Sequence, residues 1–253
     1  MKSMYELVEV MSRLRAKNGC PWDREQDHKT LKPYLVEETY EVIDAIDGED
    51  DDSLKEELGD LLLQIVFHAQ IADEERRFTI DDVAASIVEK LKRRHPHVFG
   101  TVKVASSEEV LHNWEQIKKH EGKNSVMDGV PKSLPALLKA RRVQEKARRV
   151  GFDWDDVKGA VHKISEEIKE LEEALLNGRK DEAKKEFGDV LFSLVNVSRF
   201  LGIDAEDSLR KTIEKFIERF KYIENEVQNQ GKKEMGDYTL EELDRLWEQA
   251  KGE

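Results

Sequence analysis

One arrangement of carboxylates occurs twice in this chain. Glu37-Glu38-Thr39-Tyr40-Glu41 is followed by Glu57-Leu58-Gly59-Asp60, and Glu166-Glu167-Ile168-Lys169-Glu170 by Glu186-Phe187-Gly188-Asp189. Every matched position is displaced by 129 residues, and in both copies the ExxD pair begins sixteen positions after the last Glu of EExxE. Three-residue spacing places both acids of a pair on one helical face. The pattern therefore calls for two helices that bring acidic faces together, and calls for them twice. Four carboxylates in one all-oxygen site are hard to sustain unless a divalent cation offsets their charge.

The repeat extends beyond the acids. Trp22-Asp23 matches Trp154-Asp155 at a displacement of 132, and Glu89-Lys90 with Arg94 matches Glu214-Lys215 with Arg219 at 125. Glu108 to Gln116 matches Glu241 to Gln249 at 133, with Trp114 aligned to Trp247. The order within each copy is the same, and the small changes in displacement fall where loops tolerate insertion. The chain reads as a duplicated helical module: residues 1–121, a linker over 122–133, and residues 134–253.

Helical periodicity runs throughout, and no segment alternates as a convincing strand would. Apolar residues at Met4, Leu7, Val8, Met11 and Leu14 mark an amphipathic first helix, broken by Asn18 to Asp23. A second is expected from near Thr30, with Pro33 in its first turn and Gly48 plus the acidic run Glu49 to Asp52 ending it. A third covers about 53–73. Thr79 is a candidate N-cap for a fourth that stops near Pro96, and Ser106 with Glu109 has the spacing of a capping box for a fifth. In the second copy, helices are expected over about 134–150, 157–177, 181–201, 205–228 and 239–251. Gly178 suits the end of one helix, Asp181 the cap of the next, and Thr239 with Glu242 another capping box. The fold class is all-α.

Composition narrows the partners. Charged residues make up 38% of the chain and the formal net charge is -13, the opposite of the basic footprint of a nucleic-acid binder. A phosphorylated small molecule remains compatible, since metal ions bridge acidic protein to phosphate. Cys20 is the single cysteine, so no internal disulfide forms and a reducing compartment is expected. Met1 to Glu6 lack the apolar run of a signal peptide, and no apolar stretch is long enough to span a bilayer. A cytoplasmic location and no membrane association are the expectation.

Any one of these acids, taken alone, reads as part of a solvated helix face in a Glu-rich chain. The set reads differently. Asp60 leads into Leu61-Leu62-Leu63-Gln64-Ile65-Val66-Phe67, and Asp189 into Val190-Leu191-Phe192-Ser193-Leu194-Val195. Acids at the head of helices apolar on nearly all sides, which should be buried, point to function. Gly59 and Gly188, mid-helix, each cost about 1 kcal/mol relative to alanine, and a close-packed neighbour is the expected return. Hard oxygen donors without histidine or cysteine favour Mg2+, with Mn2+ as a substitute, and argue against a di-iron site, which uses Glu-x-x-His pairs. Lys215 and Arg219, one turn apart, suit phosphate oxygens, although a solvated basic face reads equally well. Trp247 could stack on a base or anchor the last helix.

Asn18-Gly19-Cys20-Pro21-Trp22-Asp23, Glu37-Glu38-x-x-Glu41, Glu57-x-x-Asp60 and Val150-Gly151-Phe152-Asp153-Trp154, in this order and over essentially the whole chain, resemble the MazG family of tandem-domain nucleoside triphosphate pyrophosphohydrolases. The resemblance implies two tandem helical-bundle modules, a homodimer, and Mg2+-dependent hydrolysis of nucleoside triphosphates to monophosphate and pyrophosphate, damaged nucleotides among them. It places catalysis and metal on Glu167, Glu170, Glu186 and Asp189, with a matching metal set on Glu38, Glu41, Glu57 and Asp60. Lys163, Lys185, Lys215 and Arg219 would meet phosphate, and Trp247 would lie near the base. A glutamate would act as base toward the attacking water. The C-terminal module is expected to carry the main activity, and the residues agree: Lys163 and Lys185 align with Tyr34 and Glu56. Two other readings of the same residues stay open, a non-catalytic acidic scaffold and a different metal-dependent phosphohydrolase.

Overall fold

The computed structural model describes residues 2–106, 109–110, 113–114, 117, 125–230 and 234–252, and no strand occurs among them. The chain forms two compact units, Met1–Val110 and Leu111–Glu253. The expected linker lies within the second of these, and residues 122–124 of it fall outside the described residues.

The first unit contains α1 (Lys2–Arg15), α2 (Pro21–Glu25), α3 (Lys32–Asp47), α4 (Asp51–Glu74), α5 (Ile80–Arg94) and α6 (Pro96–Phe99). The long helices α3 and α4 pack on each other as a hairpin, and α1 lies against α4. Met11 of α1 joins Leu31, Val66, Phe67 and Ile71 in a core flanked by Leu7, Leu14 and Leu63. The break expected over 18–23 is shorter than anticipated: Pro21, which needs no amide partner, opens α2 inside it. Helix α4 starts two residues early because Asp50 caps it, accepting from the amides of Asp52 (3.0 Å) and Ser53 (3.2 Å). Thr79 and Asp82 form a reciprocal capping box on α5. Glu109 donates its amide to Ser106 Oγ at 3.2 Å as expected, while most of the helix anticipated beyond it lies outside the described residues.

In the second unit, α7 (Ala136–Arg148), α8 (Val157–Leu176) and α9 (Lys180–Phe200) repeat the arrangement of α1, α3 and α4: α8 and α9 form the hairpin and α7 packs on α9. Helices α10 (Ala205–Gln230) and α11 (Leu240–Ala250) follow and pack mainly on each other, through Ile223, Val227 and Leu246. A capping box between Thr239 and Glu242 starts α11. Ala45 and Ala174, matched across the repeat, are both buried, and small side chains there let each hairpin close.

The two hairpin turns have one backbone design and different residues. At the end of α8, Arg179 N donates to Ala174 O (2.9 Å) and Gly178 N to Leu175 O (3.1 Å), with Gly178 left-handed at φ 67°. The same pair of bonds closes α3, Asp50 N to Ala45 O and Glu49 N to Ile46 O, but the left-handed residue is Glu49 at φ 54°. Gly48 ends α3 as expected, as its C-cap with right-handed geometry, and the left-handed residue follows it. Asp181, by contrast, is not the cap of α9. That position falls to Arg179, and Asp181 sits in the first turn, where its charge complements the helix dipole.

Two expectations about the hairpins change. Helices α4 and α9 are not buried all round, because one unit supplies helices to cover only one side of each. Leu58, Leu62 and Ile65 stay exposed on α4, as do Phe187, Leu191 and Leu194 on α9. The mid-helix glycines gain no neighbour within their own unit, since a Cβ at Gly59 or Gly188 would meet nothing within 4 Å.

Candidate functional site

Each hairpin brings its acids together. In the second unit, Glu167 on α8 and Glu186 and Asp189 on α9 each turn a carboxylate oxygen to within 4.8 Å of the others. Glu167 is almost fully buried, and Glu186 is half-buried. Glu170 stands beside this triad, close enough to act electrostatically on Glu186. In the first unit Glu38, Glu41 and Glu57 form a triad within 4.8 Å, with Glu41, the counterpart of Glu170, in place of Asp60, the counterpart of Asp189. Asp60 stands beside it, close enough to act electrostatically on both Glu38 and Glu57.

Crowding like charges raises carboxyl pKa values, and both clusters display it. Glu186 is pushed above the usual range by desolvation and then by the charges of Glu170, Asp189 and Glu167. Glu38 is raised by desolvation, then by Asp60 and Glu41. Glu57 is raised by desolvation, then by Glu41, Glu56 and Asp60. Protonation is one way to relieve such a cluster, and a hard divalent cation bound by oxygen donors is the other. The donor set thus fits Mg2+, with Glu167, Glu170, Glu186 and Asp189 to hold it in one unit and Glu38, Glu41, Glu57 and Asp60 in the other.

The cations around the two sets differ. Lys163 lies one turn before Glu167 and pairs with it at 2.6 Å, while also reaching Glu166 at 2.9 Å. Those two contacts raise the Lys163 pKa, hydrogen bonding to Glu167 being the larger cause, so the ammonium stays charged beside the acids. Tyr34 at the matched position packs edge-on against Trp22 instead, with ring centroids 5.9 Å apart. The first set has a neutral neighbour, Gln64, whose Nε2 donates to Glu38 Oε1 at 3.4 Å while its own buried Oε1 finds no partner. Gln64 was not anticipated from the sequence. Its position four residues beyond Asp60, on the acidic face, is the signal that marks it.

Lys185 is exposed on α9, next to Glu186 in sequence. Lys215 and Arg219 project from α10, and among the described residues no hydrogen bond or ion pair joins them to the acids. Arg219 instead lies over the indole of Trp247, 5.5 Å from the ring centroid. Trp247 also packs on Phe216 at 5.1 Å and on the core shared by α10 and α11. The second unit therefore offers an acidic cluster with one internal cation, and separately an arginine seated on an aromatic ring.

The model of the MazG nucleotide pyrophosphohydrolase domain matches the chain twice, over residues 26–99 and 155–224. Both matches include a complete EExxE…ExxD set. The chain belongs to the MazG nucleotide pyrophosphohydrolase family. It is similar along nearly its whole length to a Thermotoga maritima protein named nucleoside triphosphate pyrophosphohydrolase/pyrophosphatase MazG, 52% identical over 252 residues that make up 98% of this chain and 95% of the relative. A nucleoside triphosphate pyrophosphohydrolase of Escherichia coli K12 is 47% identical over 258 residues, 99% and 98% of the two chains. The uncharacterized YabN of Bacillus subtilis is 51% identical over 96% of this chain, which covers half of YabN. The all-α fold and the duplicated module agree with this membership, and among the described residues no helix is long and apolar enough to cross a membrane.

Proposed function

We propose that this MazG-family chain is a Mg2+-dependent nucleoside triphosphate pyrophosphohydrolase that releases pyrophosphate and a nucleoside monophosphate, with Mn2+ able to substitute and damaged nucleotides among its substrates. The observation that carries this reading is the clustering of Glu167, Glu186 and Asp189 oxygens within 4.8 Å inside a matched family domain. When bound among these acids, Mg2+ would neutralise phosphate oxygens and favour a hydroxide-like water.

The protein's own residues do the rest. The α8–α9 hairpin fixes the acids relative to one another, so little reorganisation is needed when substrate arrives. Glu170 and Glu186, neighbours in the cluster, are placed to take the proton of the attacking water. Lys163 holds positive charge at the rim of the acids, and Lys185 adds a second cation on the exposed side. Lys215 and Arg219 meet the outer phosphates, and Trp247 gives Arg219 a seat and the nucleoside an aromatic surface. The C-terminal module, residues 134–253, carries the main activity, because Tyr34 and Glu56 replace two of these cations in the N-terminal module, residues 1–121.

The exposed apolar sides of α4 and α9 support a homodimer, since apolar surface of this extent on hairpin helices marks an interface. The open space over Gly59 and Gly188 leaves room for a partner helix there. The single cysteine supports a reducing, cytoplasmic setting. The test is product identity: the full chain, incubated with Mg2+ and each nucleoside triphosphate, should yield pyrophosphate. Orthophosphate alone would instead favour another phosphohydrolase.

A further inference from the structure

Two histidines of the first unit meet through their ring nitrogens. His28 lies in the turn before α3 and His68 on α4. Their Nδ1 atoms are 2.8 Å apart, and the ring planes differ by 16° with centroids at 5.1 Å. Both nitrogens therefore lie on the line between two nearly coplanar rings. That is the geometry of an N–H···N bond, in which one imidazole donates and the other accepts. On the other side of His28, Arg77 Nη2 meets Nε2 at 2.5 Å.

Arg77 decides which ring donates. A guanidinium carries donors only, so His28 Nε2 accepts. A neutral imidazole with a bare Nε2 has its proton on Nδ1. His28 Nδ1 thus donates to His68 Nδ1, and the proton of His68 sits on Nε2. Arg77, His28 and His68 form a one-way chain of donors that exists only while both imidazoles are neutral. An added proton has two places to go, and each breaks the chain. On His28 Nε2 it meets the guanidinium, and on His68 Nδ1 it meets the N–H of His28. The same contact disfavours a metal ion shared by the two Nδ1 atoms, since His28 would then turn an Nε2 proton toward Arg77.

The surroundings hold the chain in place. Arg76 has a left-handed φ of 55°, costly for a residue with a side chain, and the turn it makes lets Arg77 N donate to Ala72 O at 2.9 Å. Asp27 accepts from the amides of Lys29 (2.6 Å) and Thr30 (2.8 Å) and shapes the turn that presents His28. Arg15 of α1 pairs with Glu74 at 2.9 Å, and Arg77 also pairs with Glu75. Against the acids Asp27, Glu74 and Glu75 stand the cations Arg15, Lys29, Arg76 and Arg77, so no excess of negative charge favours an imidazolium. Desolvation, and then His28, holds the His68 pKa below the ordinary histidine value.

The second unit lacks the chain. Val197 stands at the position of His68, and no histidine lies between Trp154 and Ala160. Ile203 closes the turn after α9, donating its amide to Ser198 O at 2.8 Å as Arg77 does to Ala72 O.

We propose that Arg77, His28 and His68 form a proton-operated latch of the first unit, which holds the turn of residues 26–31 on α4 at neutral pH and releases it in mild acid. The turn leads into α3, which carries Glu38 and Glu41, so release loosens the footing of the first acid set. A histidine whose folded pKa is lowered contributes stability that is complete above the unfolded value of about 6.5. That stability is lost as pH falls through the folded value. The sign is opposite to that expected from the raised pKa of Glu186 in the second unit, so the latch is read locally.

Hydrogen exchange of residues 26–31, corrected for intrinsic rates, tests the latch in the full chain with saturating Mg2+ between pH 5 and pH 8. Wild type, H68V and R77M are compared, with imidazole 15N resonances of the wild type recorded at pH 8. Wild-type protection of the turn should fall by roughly tenfold or more in mild acid, as a pKa shift of one unit implies, while residues 154–160 keep theirs. H68V, which imitates the second copy, should show low protection at every pH. R77M should move the midpoint down by roughly one pH unit, because His28 then takes a proton on Nε2 and still donates to His68. A purely structural Arg77 would instead lower protection equally at every pH and leave the midpoint in place. The resonances should show His28 protonated on Nδ1 and His68 on Nε2. The opposite tautomers, wild-type protection that ignores pH, a pH dependence that survives in H68V, or an unmoved midpoint in R77M would each overturn the latch.

Discussion

Lys163 Nζ lies 2.6 Å from Glu167 Oε1, one turn away on the same helix, and so supplies the acidic cluster of the second unit with a cation of its own. The first unit has Tyr34 there and lacks this countercharge. The pair makes Lys163 a stand-in for part of the charge a metal would bring. K163M should lower the melting temperature in EDTA by a few degrees, the equivalent of about 1 kcal/mol for a partly exposed ion pair in a chain of this size. Saturating Mg2+ should remove most of the difference. Calorimetry with and without Mg2+ checks this, and an equal loss in both conditions would mean that the lysine serves only the helix.

The asymmetry between copies predicts an asymmetry between mutants. D189A and E170A should each reduce pyrophosphate release by roughly a hundredfold or more, the scale for losing one preorganised transition-state contact. D60A and E41A should retain most of the rate. Circular dichroism should show native helix content in all four. Comparable losses from the two sets would place both copies in the catalytic cycle.

Glu186 gives a pH test with a definite sign. Its folded pKa is raised, chiefly by desolvation and then by Glu170, Asp189 and Glu167, so folding is favoured below the ordinary glutamate range and that gain is lost as pH rises through the raised value. The metal-free protein should therefore lose stability on going from mildly acidic to neutral pH, and E186Q should flatten that part of the profile. Mg2+ should raise the melting temperature of the wild type at neutral pH, by an amount that shrinks as acidification lets protons compete for the carboxylates. Thermal melts from pH 5 to pH 8 with and without Mg2+ decide the matter, and an E186Q profile as steep as the wild type would contradict it.

Glu49 holds the left-handed turn that Gly178 holds in the other copy, φ 54° against 67°. A side chain there carries a steric cost, partly offset by the greater freedom glycine has when unfolded. E49G should stabilise the first unit by about 0.5–1 kcal/mol, and G178E should destabilise the second by a similar amount. Denaturant melts of both variants check the pair.

Phe187 is more than half exposed on α9 and Leu191 lies one turn on, close to the glycine over which nothing packs. If a second copy covers this side, burial of such side chains contributes about 1.5–3 kcal/mol each. F187D and L191E should each weaken dimerisation by more than tenfold in sedimentation equilibrium. A wild-type chain that sediments as a monomer at micromolar concentration would end the homodimer proposal.

Much of this molecule was legible along the chain. The long helices begin and end within a few residues of their expected limits, because apolar period, capping residues and proline are local signals that the backbone obeys locally. The acids of each copy could be paired from spacing alone, since three residues make one helical face and a short turn makes a hairpin. Less legible were features that depend on what arrives from elsewhere. Gly48 does end α3, but that Glu49 rather than a glycine takes the left-handed position was not visible in the sequence. The apolar run after Asp60 and Asp189 looked buried on every side, yet one unit has too few helices to cover it. Trp247 was open to two readings, and the fold seats it against Phe216 and Arg219.

The sequence by itself determined the helices, the duplication and the two sets of four carboxylates, all of which follow from periodicity and from spacings repeated at 129 residues. Tertiary structure decided the rest: that Phe67 is packed among the core of the first unit, while Asn196, its counterpart, faces a cavity, and that Trp247 is seated against Phe216 and Arg219. These depend on side-chain volume and on packing between helices distant in sequence, where exchanging Phe for Asn and Gln for Ser leaves a cavity without disturbing the helical pattern that carries it.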